Sequence, residues 1–194
     1  MGGASTRYAV LLAAVNVGGR KVQMAQLREL LAELGYADVR TYLASGNAVF
    51  TAPDGPTGEE ERAGEAAIAA RISTALDERF GFAIPCVVRD ADYLNAVIKQ
   101  CPFPAAELEG KQLHAVFHAE PVDPARYADI DREAFLPEEL RLGDRVVYLY
   151  LPGGMGRSAL AAAMGKPASR LRGVTATARN WNTVKALAEM TAAD

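Results

Sequence analysis

Three short polar stretches hold the residue types that could recognise a ligand. The first is Asn16-Val17-Gly18-Gly19-Arg20-Lys21, a Gly-Gly turn carrying two cations ahead of a helical pattern. Backbone N–H groups at a helix start, with the helix dipole and nearby cations, suit an anion such as phosphate. The spacing is not that of a P-loop, because no GxxxxGKS or GxxxxGKT is present. The competing reading is a tight connection whose glycines serve backbone angles alone. The second stretch, Ser45-Gly46-Asn47, offers a hydroxyl and an amide in a turn, and local side-chain to backbone bonding explains the same residues. The third is Arg179-Asn180-Trp181-Asn182. Arginine grips phosphate or carboxylate bidentately, tryptophan stacks on a base, and the asparagines read polar edges. In the architectural reading Asn180 caps a helix, Trp181 fills the interface between two halves, and Arg179 makes a structural ion pair. The candidate ligand-binding set is therefore Asn16, Gly18, Gly19, Lys21, Ser45, Asn47, Arg179, Asn180, Trp181 and Asn182.

Other chemistry-bearing residues point away from catalysis and cofactors. Gly154-Met155-Gly156-Arg157-Ser158-Ala159 fits GxGxxA in letters. A dinucleotide fold also needs an acidic residue about twenty positions on, at the end of a second parallel strand, and residues 171–178 contain no Asp or Glu. His114 and His118 lie four apart in a strand-like stretch, about 13 Å from one another and too far for one ion. Glu59-Glu60-Glu61 reads as a solvated run. Cys86 and Cys101 have neither CxxC nor metal-ligand spacing and read as buried free thiols. No nucleophile–base pair, metal set or cofactor motif stands out.

These residues must be positioned by a chain of 194 residues carrying a net charge of −3. A chain of that length buries roughly 70% of its unfolded surface and folds without disulfide or metal. The acidic balance argues against a dedicated duplex-DNA binder. No run of about 18 apolar residues exists to span a membrane, and a reducing cytoplasm is the expected compartment. Met1-Gly2 with Thr6 satisfies the loose myristoylation pattern, but residues 1–7 read better as a flexible leader.

The periodicities predict the elements. Residues 8–15 form an apolar run suited to a buried strand. Met24, Leu27, Leu30, Leu31 and Leu34 make a helical stripe closed by Gly35. Residues 39–43 and 48–51 read as a hairpin, and residues 52–64 as a solvated loop. Ile68, Ile72, Leu76 and Phe80 mark a second helix ended by Gly81. A strand follows over 84–89, placed at a sheet edge by Pro85. This β-α-β-β-α-β order is that of a ferredoxin-like unit. The second half repeats it loosely: a linking helix over 92–100, a strand over 113–118, and a short helix over 124–131 capped by Asp123. A hairpin around Gly143-Asp144 follows, then a helix capped by Ser158, a strand over 174–177 and a terminal helix capped by Asn180. The expected fold is α+β, with ferredoxin-like halves over 7–90 and 91–194.

Leu11-Leu12, Asn16-Val17-Gly18-Gly19, Met24, Leu27, Gly35, Val39-Arg40-Thr41-Tyr42, Ser45-Gly46-Asn47 with Phe50, and Arg179-Asn180-Trp181-Asn182-Thr183-Val184 together resemble one family. It is catalogued as domain of unknown function 1697. The resemblance runs from about Tyr8 to Met190 and implies a soluble, chiefly bacterial protein of two ferredoxin-like halves. It carries no activity over. The family usually has an arginine and a glycine where this chain has Ala13 and Ala14, and a second threonine where Ala178 stands.

The leading expectation is a binding protein for a small anionic ligand, a nucleotide or phosphorylated metabolite, held between the halves. The alternative is an interaction or scaffold module whose polar signatures set packing. An enzyme whose partners meet only in the fold stands third, and RNA binding fourth, for want of an aromatic RNP-like motif.

Overall fold

The structure, a computed structural model, describes residues 5–16, 18–52 and 59–192. Val17, residues 1–4 of the leader, residues 53–58 of the solvated loop, residues 193–194 and the side chains of residues 59–63, Glu59, Glu60 and Glu61 among them, lie outside what is described. The elements run β1 (Thr6–Leu12), α1 (Met24–Glu33), β2 (Ala37–Tyr42), β3 (Asn47–Ala52), α2 (Glu59–Phe80), β4 (Cys86–Asp90) and α3 (Ala91–Lys99). They continue with β5 (Leu113–His118), β6 (Glu139–Leu142), β7 (Val146–Tyr150), α4 (Ala159–Met164), β8 (Ala176–Asn180) and α5 (Trp181–Ala192). The fold is α+β, with two four-stranded antiparallel sheets. The chain divides into two compact units, Met1–Ala96 with Ala186–Asp194, and Val97–Lys185.

In the first unit the sheet order is β2-β3-β1-β4. β1 is central because it pairs with both β3 and β4, with Ala9 opposite Val49 and Arg89. Its side chains are buried on both faces, as an uninterrupted apolar run requires. One face, Tyr8, Val10 and Leu12, packs with Leu27, Leu30 and Leu31 of α1 and Ile72 and Leu76 of α2. Each fully buried leucine, isoleucine or valine there contributes roughly 1.5–3 kcal/mol over leaving it exposed. Gly35 ends α1 at φ 89° and Gly81 ends α2 at φ 74°. β4 lies at the sheet edge, as Pro85 just before it implies.

The second unit repeats the order as β6-β7-β5-β8. Leu140, Val147, Leu149, Leu160 and Met164 build its core, together with Tyr127. Ser158 caps α4 by accepting the Ala161 N–H at 2.9 Å. Asp123 accepts the Ala125 N–H at 3.0 Å, but it starts a 3-10 turn over Pro124–Tyr127, shorter than the periodicity suggested.

Four boundaries differ from expectation. α2 begins at Glu59, inside the expected loop, because EEERA and EAAIAAR are strong helix formers despite Gly64 between them. β1 stops at Leu12 because the backbone turns left-handed at Ala14, φ 54°. The β6–β7 turn is centred one residue late, on Asp144 and Arg145: the Gly143 N–H bonds Val146 O at 2.8 Å, and Arg145 takes φ 53°. β8 runs to Asn180, so Arg179 sits within a strand rather than ahead of a helix. The antiparallel sheet of the second unit also removes the parallel βαβ frame that the GxGxxA stretch would need. Gly154 there turns at φ 77° into a 3-10 turn, Met155–Arg157.

Candidate functional site

The first two polar stretches meet at one end of the first sheet. β1 ends there with the Leu12 N–H on Gly46 O and the Ala13 N–H on Pro85 O, both at 2.8 Å. The chain then passes through left-handed backbone at Ala14 (φ 54°), Asn16 (58°), Gly18 (59°) and Gly19 (88°). Asn16 closes this loop on itself. Its N–H bonds Arg20 O at 2.6 Å, and its Oδ1 accepts the Val22 N–H at 3.1 Å. Its Nδ2 donates to Ala44 O and so fastens the loop to the β2–β3 hairpin.

At the hairpin tip Leu43 takes φ 56° and Gly46 φ 82°. A Cβ on Gly46 would lie 2.7 Å from Val15 Cγ2 and 2.8 Å from Leu12 Cβ, so only glycine fits. Asn47 is wholly buried and donates Nδ2 to Tyr42 O at 3.0 Å and Ser45 Oγ at 2.8 Å. Outward from this knot face Gly18, Gly19, Arg20 and Lys21, all exposed. The Arg20 guanidinium rests 5.8 Å from the centre of the Phe82 ring. α1 starts just beyond, with no side-chain cap from Gln23 and no acidic residue in its first turn. The arrangement presents cations and a helix start in one place, fixed by Asn16.

The third stretch lies in the second unit and is largely internally bonded. Arg179 is 7% exposed and donates Nη1 to Thr177 Oγ1 at 2.6 Å and Ala178 O at 2.8 Å. Burial pulls its guanidinium down to about 10, still protonated at neutral pH. Asn180 Oδ1 accepts the Thr183 N–H at 3.0 Å, capping α5. Trp181 is buried, 6.4 Å from the Tyr148 ring, and its backbone N–H donates to Gly110 O at 3.0 Å. Asn182 is exposed in the first turn of α5, and its side chain lies against Gly110, where an added Cβ would sit 2.1 Å from Oδ1.

Sequence reasoning missed a buried charge network in the first unit. Arg89 is 2% exposed, with Nη1 3.2 Å from Glu65 Oε2 and 2.6 Å from Val88 O, and its guanidinium stands 4.9 Å over the Tyr93 ring. Glu65 Oε1 accepts the Asp90 N–H at 3.2 Å, and Asp90 Oδ1 accepts the Tyr93 N–H at 2.6 Å, capping α3. One signal was available: Arg89-Asp90 and Arg179-Asn180 are each an arginine and a capping residue closing a strand.

In the second unit Tyr127 OH meets His118 Nε2 at 3.1 Å, and burial raises the Tyr127 hydroxyl above its ordinary value. Arg170 grips Asp129 through both carboxylate oxygens and holds it below the usual range. Burial lowers His114, whose Nδ1 has no hydrogen-bond partner among the described residues. The Cys86 thiol is pushed up to about 12 by burial and donates to Ala69 O at 3.3 Å, an unreactive setting. Among the described residues no group of three or more His, Cys, Asp or Glu could hold a metal ion, and no helix is long and apolar enough to cross a membrane.

A family profile described as protein of unknown function, DUF1697, matches residues 5–148. Among solved structures, the conserved bacterial protein SP0830 from Streptococcus pneumoniae is similar at 24% identity and a TM-score of 0.74. The match covers 97% of this chain and 99% of that one, a likeness of fold. No curated protein matches the chain.

Proposed function

We propose that this chain, which belongs to the DUF1697 family of proteins of unknown function, binds a small anionic ligand through the paired turns of its first unit. One observation carries the reading. Of the five non-glycine residues with left-handed backbone among those described, three (Ala14, Asn16 and Leu43) lie in these two turns. Such conformations cost of order 1–3 kcal/mol each and concentrate where function holds them in place. The charge agrees: Arg20 and Lys21 stand exposed beside a helix start that lacks both cap and acid, a setting that favours phosphate-like groups. In this reading Asn16, Ser45, Gly46 and Asn47 shape the loops, while Gly18, Gly19 and Lys21 face the ligand. The units are ferredoxin-like in strand order, and the protein works in the cytoplasm.

Thermal unfolding against a panel of nucleotides and sugar phosphates tests this. A ligand at 100 times its dissociation constant adds about 2.7 kcal/mol, or roughly 5–10 °C for a chain of this size. The shift is expected in the parent and lost in a double Arg20→Ala, Lys21→Ala variant. No shift anywhere in the panel would contradict the reading.

A second reading has its own support. Asn47, Arg179 and Asn180 each spend side-chain atoms on bonds within their own unit, as an interaction or scaffold module would require. In that case no member of the panel shifts the melting temperature of the parent, and Arg179→Ala lowers stability alone.

A further inference from the structure

The hydrogen-bond phase of each sheet fixes which backbone groups its edge strands turn outward. In an antiparallel ladder alternate residues bond to the neighbouring strand, and those between them face away. The Ala13 N–H on Pro85 O at 2.8 Å aims Pro85, Val87 and Arg89 at β1, so Val88 faces away from the sheet. The Gly143 N–H on Val146 O at 2.8 Å likewise turns Leu140 outward from β6. The Ala119 N–H on Thr175 O at 2.9 Å turns Ala178 outward from β8. β4, β6 and β8 are all edge strands, so these three carbonyls lie where an incoming strand would bond.

Each of the three is taken, and each by the arginine that follows it. Arg89 donates Nη1 to Val88 O at 2.6 Å, Arg141 to Leu140 O at 3.1 Å, and Arg179 to Ala178 O at 2.8 Å. The arginine's own backbone faces the inner strand, while its guanidinium reaches back to the outer rim. The groups that answer the charge differ. Arg89 meets Glu65, Arg141 pairs with Glu139 beside the Phe103 ring, and Arg179 meets Thr177. Burial does not force the contact either, since the Arg141 side chain is 47% exposed and could give its donors to water. Ala178 is exposed, so the rim of β8 is reachable from solvent. On β4 the outward Asp90 N–H is also taken, by Glu65 Oε1 at 3.2 Å. The fourth edge, β2, is blunted differently, by a register shift between Ala37 and Arg40 with Asp38 at φ 51°.

We propose that these arginines are edge guards, whose contacts with the outward carbonyls keep the sheets from pairing edge to edge with a second copy of this chain. The device is independent of the anion-binding turns. Sedimentation of the full chain over a range of concentrations tests it, using Arg141→Met, which keeps the apolar stem and loses the donors. This variant is expected to self-associate roughly tenfold more tightly than the parent, with amide exchange at 139–142 slowing as it associates. Arg141→Lys, which keeps a donor, is expected to match the parent. Arg179→Met, read in the same way at 176–180, decides should Arg141→Met fail to fold. Association of both methionine variants equal to the parent's, or association that leaves exchange at the altered edge unchanged, would overturn the proposal.

Discussion

The ends of β4 and β8 place the same device in two electrostatic settings. Arg89 lies opposite Ala9 in β1, and Arg179 lies opposite Ala115 in β5. Each arginine is buried and bonds the carbonyl just before it, and each is followed by a residue that caps the next helix. They differ in what answers the charge. Arg89 meets the buried carboxylate of Glu65 and the face of Tyr93. Arg179 meets the hydroxyl of Thr177, and burial lowers its proton affinity. The contrast teaches that the position calls for a long donor closing the strand, while the compensating group is supplied by whatever packs there.

Removing that group on each side is the strongest way to break the comparison. Glu65→Gln leaves Arg89 buried without a counter-charge and is expected to cost about 3–5 kcal/mol, read by urea unfolding. Adding Arg89→Met should recover much of the loss. Thr177→Val removes one hydrogen bond to a charged group and should cost about 1.5–3 kcal/mol. Equal losses in the two units would mean that the carboxylate and the hydroxyl do the same work.

The connections after the central strands differ as well. After β1 the backbone is left-handed at Ala14, Asn16, Gly18 and Gly19, whereas residues 119–127 after β5 include no positive φ. Ala14→Gly should therefore stabilise the protein by about 0.5–1 kcal/mol, the relief of a left-handed alanine less the added chain entropy. A destabilised variant would show that the turn carries no strain there.

The smallest effect concerns the residues beside the caps. Tyr8 lies opposite Asp90, and His114 lies opposite Asn180. Burial lowers His114 below its ordinary value of 6.5, so as pH falls the unfolded chain takes the proton first. Stability is then unaffected by this group well above pH 6.5 and declines as pH drops below it. The melting temperature of His114→Gln should fall less steeply between pH 7 and 5.5 than that of the parent. Parallel slopes would remove His114 as the cause.

Much of the fold was legible because it rests on periodicity. The stripe of Leu27, Leu30 and Leu31, the edge position implied by Pro85, and the caps at Ser158 and Asn180 all follow from local rules. The bulk of the paired turns was legible too, since Gly46 and Asn16 are residue types that left-handed or crowded backbone demands. What could not be read was long-range pairing. Nothing in the sequence tells Glu65 that it will face Arg89, 24 residues on. β8 runs past the end its pattern suggests because Arg179 and Asn180 have no strand pattern of their own; pairing with His114 and Ala115 holds them extended.

Hydrogen exchange at the paired turns, measured with and without the phosphate-bearing panel, tests the central claim most directly. Slowed exchange of the amides at 18–26 and 43–46, with residues 176–183 unchanged, is the expected result. Unchanged exchange at both turns in the presence of every member of the panel would contradict an anion site there.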